Sequence, residues 1–279
     1  MSDLTLMPFQ RHMILVPLSF IAMLLFAGCA SDRCGQGAVH NGTKPRGHVP
    51  DPGKQSFYNA DGSFSITNAK KAYYALMRAY AYPIPRILES DQFWVCDFVQ
   101  RDFAKLGMGG IFWMNAKGQY GQAGAKVYTG KSKDDSYGYL GHEIYLLPGQ
   151  MLPEHRHVGG NEGYGPKMEG WHVRYGSVQF FGEHQGAGGE KPIGDMAKAD
   201  QPWGYGQDWF KSKYVVTRVA GEIYQLNDPE SWHFQRAGSN GAIVSEYGTY
   251  HNQVEFSKPG MQFKCSEPTA PSKPQPNNK

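Results

Sequence analysis

The sequence predicts a mainly all-β fold: a single antiparallel β-barrel or jelly roll with one or two N-terminal helices packed outside it. Three observations carry this. From Met108 to Tyr247 the chain repeats short runs of aromatic and branched residues between glycine-bearing turns, the pattern of many short strands. Glycine supplies 35 of the 279 residues and aromatics 14%, a composition that suits tight turns and a small pocket better than a helical bundle. Helical spacing of apolar residues is clear only from Ala69 to Tyr80. One domain, residues 67–265, is therefore expected, and β-barrels of this size are commonly undivided.

The net charge of +3, with 19% charged residues, gives no strong field and argues against a nucleic-acid partner. The N-terminus reads as a targeting segment over residues 1–29. Arg11 and His12 precede an apolar run from Met13 to Ala27, which is short for a membrane span but has the layout of a secretory signal. Leu25-Phe26-Ala27-Gly28-Cys29 resembles a bacterial lipobox, which implies a lipid on Cys29 and a place in the cell envelope. A retained transmembrane anchor is the alternative. Residues 30–66, rich in Gly, Pro, Asn, Ser and Lys, read as a flexible linker, and residues 266–279 as a disordered tail. Cys34, Cys96 and Cys265 remain in a compartment that permits disulfides, and the sequence leaves their pairing open.

Thr67 or Asn68 is expected to cap the first helix, whose stripe is Ala69, Ala72, Tyr73, Leu76, Met77 and Tyr80; Pro83 and Pro85 end it. A second short helix or turn is expected around Leu88 to Phe98. Strands are expected over 108–115, 126–129, 139–147, the two runs described next, 214–219, 222–226, 233–236 and 242–247. The excursion from Glu183 to Lys213 carries Trp203, Tyr205 and Trp209 and reads as an ordered lid or a subunit contact.

The chain is organised around residues 149–176. His155 and His157 stand two apart on a strand and project to one side, where they can reach one cation, while Arg156 points away. Glu169 opens a second run, Trp171 to Phe181, expected to return beside the first and bring a carboxylate to the two imidazoles. His233 follows the Asn227-Asp228-Pro229 turn, and a closed barrel would bring it into the same interior. Three imidazoles and a carboxylate suit Mn²⁺, Fe²⁺, Co²⁺, Ni²⁺ or Zn²⁺. Glu162 is the alternative to Glu169. The other histidines, His12, His40, His48, His142, His172, His184 and His251, read as surface or hydrogen-bonded residues, with His251 also a candidate for the pocket mouth.

Gly149, His155-x-His157, Glu169 and Gly176 resemble the first motif of the cupin superfamily, with a longer histidine-to-glutamate spacing, and Pro229 to His233 and Phe234 resemble the second. Within cupins, Trp94 to Phe98 with Asp102 to Gly107, the Lys167-x-Glu169 pair and Ile243 to Tyr247 are similar to D-lyxose isomerases over about residues 67–260. The resemblance implies a metal-dependent aldose–ketose isomerase, with Mn²⁺ as the first choice of metal and a homodimer as the assembly.

A divalent ion with two open positions can bind the carbonyl and adjacent hydroxyl of an open-chain sugar and acidify the C2 proton. Glu246 is the expected carrier of that proton through an enediol, since it lies close to His233 in sequence and is not needed as a ligand. Its alternative is an ion pair with Arg236. Lys167 is expected beside the metal, either driven toward its neutral form or steadying an oxyanion; its alternative is a surface lysine in a turn. Trp171, Trp232, Phe234 and Tyr250 are candidate pocket walls. A cupin dioxygenase and a non-catalytic carbohydrate-binding lipoprotein are the competing functions. The envelope location favours a sugar derivative from an extracellular polymer as the alternative substrate.

Overall fold

The computed structural model describes residues 42, 44–98, 100–116, 139–159, 166–226, 228–250 and 253–263. The lipobox with Cys29, Cys34, Cys265, His251, the expected strand 126–129 and the C-terminal tail lie outside them. Among the described residues no helix is long and apolar enough to cross a membrane.

The elements in chain order are α1 (Ile66–Ala79), β1 (Trp94–Cys96), β2 (Met108–Ala116), β3 (Tyr139–Leu146), β4 (His155–His157), β5 (Glu169–Gly182), β6 (Lys191–Pro192), β7 (Tyr214–Val219), β8 (Ile223–Gln225), β9 (His233–Thr249) and β10 (Val254–Phe256). Ser65, rather than Thr67 or Asn68, caps α1: its hydroxyl accepts from the Asn68 N–H at 3.4 Å. The stripe Ala69, Ala72, Tyr73, Leu76 and Met77 is buried as its spacing predicts. Of the short helix or turn expected around Leu88 to Phe98, only a turn forms: a single 3₁₀ turn, Arg86–Glu89, leads into β1, because Trp94-Val95-Cys96 are extended-chain formers that find partners on β2 at Met108 to Gly110.

The strands are antiparallel in the order β1-β2-β3-β9-β5-β7-β6, with β8 also on β5, and β4 held between β9 and β10. The expected fold class stands: a mainly β, jelly-roll-like arrangement with one α-helix. Two expectations fail in detail. β4 does not pair with β5; β9 runs between them, with His155 opposite His233 on one edge and Glu169 opposite Gly248 on the other. The strands expected at 233–236 and 242–247 are one strand of 17 residues with a corner in it. Ala237 pairs with Val178 and Ala242 with Gly176, so Gly238 to Gly241 stand opposite Ser177 alone. Gly176 has φ 78°, and a Cβ there would strike the Gly241 carbonyl, so the corner requires glycine.

Alternation along the strands separates two cores. Ile144, Trp171, Val173 and Val244 face an inner core with Trp94 and Met108, while Tyr145, Ile111 and Ile243 face outward against Tyr73, Leu76 and Met77 of α1. The linker expected up to residue 66 is fixed well before that point. Arg46 and Gly47 donate to the Ala79 carbonyl, and Phe57 is buried with its ring 4.8 Å from that of Phe103. The excursion after β5 is ordered. Phe210 packs edge-on to Phe234, itself stacked on Phe181 at 4.4 Å, and the buried Glu154 accepts the N–H groups of Lys211 and Ser212 at 2.6–3.1 Å.

Candidate metal centre

His155 and His157 on β4 and His233 at the start of β9 are all buried, and their ligand atoms lie within 4.8 Å of one another. Glu169, the first residue of β5, brings Oε1 to 2.9 Å from Nε2 of His233 and 3.6 Å from Nε2 of His157. Local backbone sets two of the imidazoles. Nδ1 of His155 donates to the Pro153 carbonyl at 2.8 Å and Nδ1 of His233 to the Ser231 carbonyl at 2.9 Å. A carbonyl cannot donate, so these bonds fix the proton on Nδ1 and leave the Nε2 lone pairs aimed at the cluster. His233 Nε2 and Glu169 Oε1 are buried without a well-directed hydrogen bond, although they are close. Atoms that converge on a point without bonding each other fit the donor set of a divalent cation.

The electrostatics agree with that geometry. Burial and the neighbouring His233 push the His155 imidazolium down to about 3, so this ring is neutral at ordinary pH. Burial opposes charge on His233 as well, but Glu169 outweighs it and raises its pKa. Lys167, 3% exposed, lies between two carboxylates: Nζ is 2.7 Å from Glu169 Oε2 and directly bonded to Glu246 Oε1. Burial opposes its charge, yet the two carboxylates prevail and raise its pKa, in keeping with the charged one of the two expected roles. Burial likewise opposes charge on both glutamates, and the Lys167 ammonium overcomes it, holding Glu169 low and Glu246 well below the usual carboxylate range.

Glu246 does not pair with Arg236, which bonds Gln179 and the Asp200 carbonyl instead. Its second oxygen meets Nδ1 of His142 at 3.1 Å. His142 was among the histidines read from the sequence as surface or hydrogen-bonded residues, with no part in the site. It is buried on the inner face of β3, its ring packs against Phe112 at 4.4 Å and Trp94 at 5.4 Å, and its Nε2 has no hydrogen-bond partner among the described residues. The available signal was the alternation of β3, where residue 142 falls in phase with Ile144 and Leu146.

Of the candidate walls, Trp171 is buried with its ring 5.7 Å from that of His233. Phe234 faces the opposite side of the sheet, stacked on Phe181, and Trp232 lies under the Arg156 guanidinium at 4.7 Å; Tyr250 is buried. Glu162 lies outside the described residues.

No family model matches the chain. Over 114 residues it is 34% identical to the D-lyxose/D-mannose isomerase of Thermosediminibacter oceani, covering 40% of this chain and 56% of that protein. The chain thus spans little more than half the length of that relative. Among solved structures, a variant of the L-ribose isomerase of Acinetobacter sp. DL28 in complex with L-ribose superposes with a TM-score of 0.50 at 17% identity, covering 74% of this chain and 96% of that one. The ligand-free L-ribose isomerase of Cellulomonas parahominis gives a TM-score of 0.48 at 17% identity, covering 68% and 90%. The first of these solved structures shares the fold of this chain, and the sequence match is to a sugar isomerase.

Proposed function

We propose that the protein is a metal-dependent aldose–ketose isomerase of the D-lyxose/D-mannose type, acting on open-chain sugars through an enediol. One observation carries the reading: Lys167 joins Glu169, at the imidazole cluster, to Glu246, a buried carboxylate that the cluster does not use. The homology to a D-lyxose/D-mannose isomerase supports the same class. His155, His157, His233 and Glu169 would hold the cation, Mn²⁺ first, with Zn²⁺, Fe²⁺ or Co²⁺ suited to the same donors. Bound there, such an ion supplies a Lewis acid that polarises the sugar carbonyl and acidifies the neighbouring C–H.

The chain's own residues move the proton. Glu246, held ionised by Lys167, accepts hydrogen from C2; the C–H electrons form the C1–C2 double bond and the carbonyl pair moves to O1. Return of the proton from Glu246 to C1, with the O2–H electrons forming the C2 carbonyl and the O2 proton passing to O1, gives the ketose. A carboxylate with so low a pKa is a weak base, so the step depends on an acidified C–H, and Lys167 also stands where it can steady charge on a sugar oxygen. His142 holds the other oxygen of Glu246 and so fixes the plane of the carboxylate. The buried Trp94 and Trp171 pack apolar rings against His142 and His233 on the inner side.

The test is proton NMR in D₂O with D-lyxose, D-mannose and their ketoses, with Mn²⁺ and with EDTA. Interconversion abolished by EDTA, with deuterium entering at C1 or C2, is expected. Glu246→Gln should lower turnover by about 10²-fold or more and leave the metal bound. No conversion by protein carrying a stoichiometric metal would overturn the assignment and favour oxygen chemistry or a modified sugar. The same proposal includes a lipid on Cys29, a bacterial cell-envelope location and a homodimer. Mass spectrometry of the N-terminal peptide and light scattering test these; an unmodified Cys29 or a monomer would remove the corresponding part.

A further inference from the structure

A second pocket opens on the back of the strands that carry His142 and Glu246. Successive side chains alternate faces, so Glu143 and Ser245, one residue away from that pair, point outward. There Glu143 is only 7% exposed. Its Oε1 accepts from the Ser245 hydroxyl at 2.6 Å, and its Oε2 from the Tyr82 hydroxyl at 2.5 Å and the Trp113 indole N–H at 3.2 Å. All three donors are neutral. Among the described residues no lysine, arginine or histidine stands within 4.0 Å of this carboxylate.

Above it lies a cavity of about 470 Å³ walled by Tyr82, Trp113, Tyr175 and Tyr247, with Arg174 among its lining residues. Small-molecule sites are typically of roughly 300–1,000 Å³. Tyr82 and Tyr175 form a right-angled corner, their rings 5.9 Å apart and inclined at 85°. Trp113 and Tyr247 are 42% and 55% exposed, as rings awaiting a ligand would be. Buried charges are ordinarily paired, and aromatic faces attract cations. A neutral sugar would add hydroxyl donors to a carboxylate that already accepts three hydrogen bonds, whereas a cation would supply the direct ion pair that Arg174, more than 4.0 Å away, does not make.

We propose that this pocket binds a small organic ammonium ion, with the charged nitrogen against Glu143 and the aromatic rings. Arg174 offers a place for an anionic group on the same molecule, as in an α-amino acid. His142 and Glu246 border this pocket through the strands they share with Glu143 and Ser245, but none of the imidazole cluster lines it, so the site stands whether or not the chain isomerises sugars.

The experiment is a calorimetric titration of the protein with n-butylammonium, norvaline and 1-butanol, which share a four-carbon scale but differ in charge. Both ammonium compounds should bind and the alcohol should not. Glu143→Gln should weaken binding by about tenfold, the scale of one charge-assisted hydrogen bond. Trp113→Ala, which removes a ring from the rim rather than the core, should weaken it by about threefold. Norvaline binding tighter than the amine, with the difference lost in Arg174→Ala, supports an amino-acid ligand; equal affinities support a simple amine. Butanol binding as well as the amine, no ammonium binding at all, or unchanged affinity in Trp113→Ala would overturn the proposal. So would Glu143→Gln shifting the protein from dimer to monomer without any ammonium binding, which would make the pocket an interface between copies.

Discussion

At the scale of single residues, the site divides by how much each side chain depends on its neighbours in sequence. His155, His157, Lys167 and Glu169 could be read directly, because strand alternation and the Lys-x-Glu spacing put each pair on one face. His142 could not, since only the pairing of β3 with β9, which sets it opposite Glu246, shows what it faces. The contact runs through Nδ1 alone, and this makes a selective substitution available. Asn places an amide near the Nδ1 position, so His142→Asn should keep most of the turnover, while His142→Leu should lower kcat by about tenfold with little change in KM. Equal turnover in wild type and His142→Leu would show that the ring only fills space.

Elements were legible where one rule governed them and misread where two competed. The α1 stripe follows from helical periodicity alone, and only its cap moved, from Thr67 or Asn68 to Ser65. β1 was not foreseen, its region being read as a short helix or turn, because three residues carry too little periodicity to identify a strand. The excursion after β5 has no period of its own, yet Glu154 ties it down through three short contacts to the N–H groups of Lys211 and Ser212. Removing that acceptor leaves the buried Ser212 N–H and the part-buried Lys211 N–H unpaired, the first at a cost of about 1–3 kcal/mol. Glu154→Ala should therefore speed amide exchange at Lys211 and Ser212 above that of the β5–β9 ladder, and unchanged protection there would refute the clamp.

For the whole molecule, composition and strand count were enough for the fold class, but where the folded unit begins depends on tertiary contacts such as Phe57 on Phe103, which a Gly- and Pro-rich sequence does not announce. The buried charge pairs around the imidazole cluster make stability depend on pH. An unfolded histidine takes its proton near pH 6.5, but buried His155 resists until about 3, so acidification across that window favours the unfolded chain. Glu169 and Glu246 act in the same sense, because their depressed pKa values contribute stability above the ordinary carboxylate value that is lost as pH falls through the folded ones. The raised pKa of His233 contributes stability present below about 6.5, lost as pH rises through its folded value. Metal-free protein should thus be most stable near neutrality, with a clearly lower urea midpoint at about pH 4.5 than at about pH 7. Equal midpoints would mean that the cluster opens to water without metal.

The corner in β9 has one more consequence. His233, Gln235 and Ala237 face inward on odd numbers, whereas Ala242, Val244 and Glu246 face inward on even ones, so the four residues Gly238 to Gly241 act as a half-period phase shift between cluster and carboxylate. The chain length of that segment is then subject to a parity rule. Adding one residue there should turn Glu246 outward and abolish any turnover that depends on it, while adding two should restore the inward phase; comparing the two insertion variants under Mn²⁺ would tell whether the count or merely the space matters.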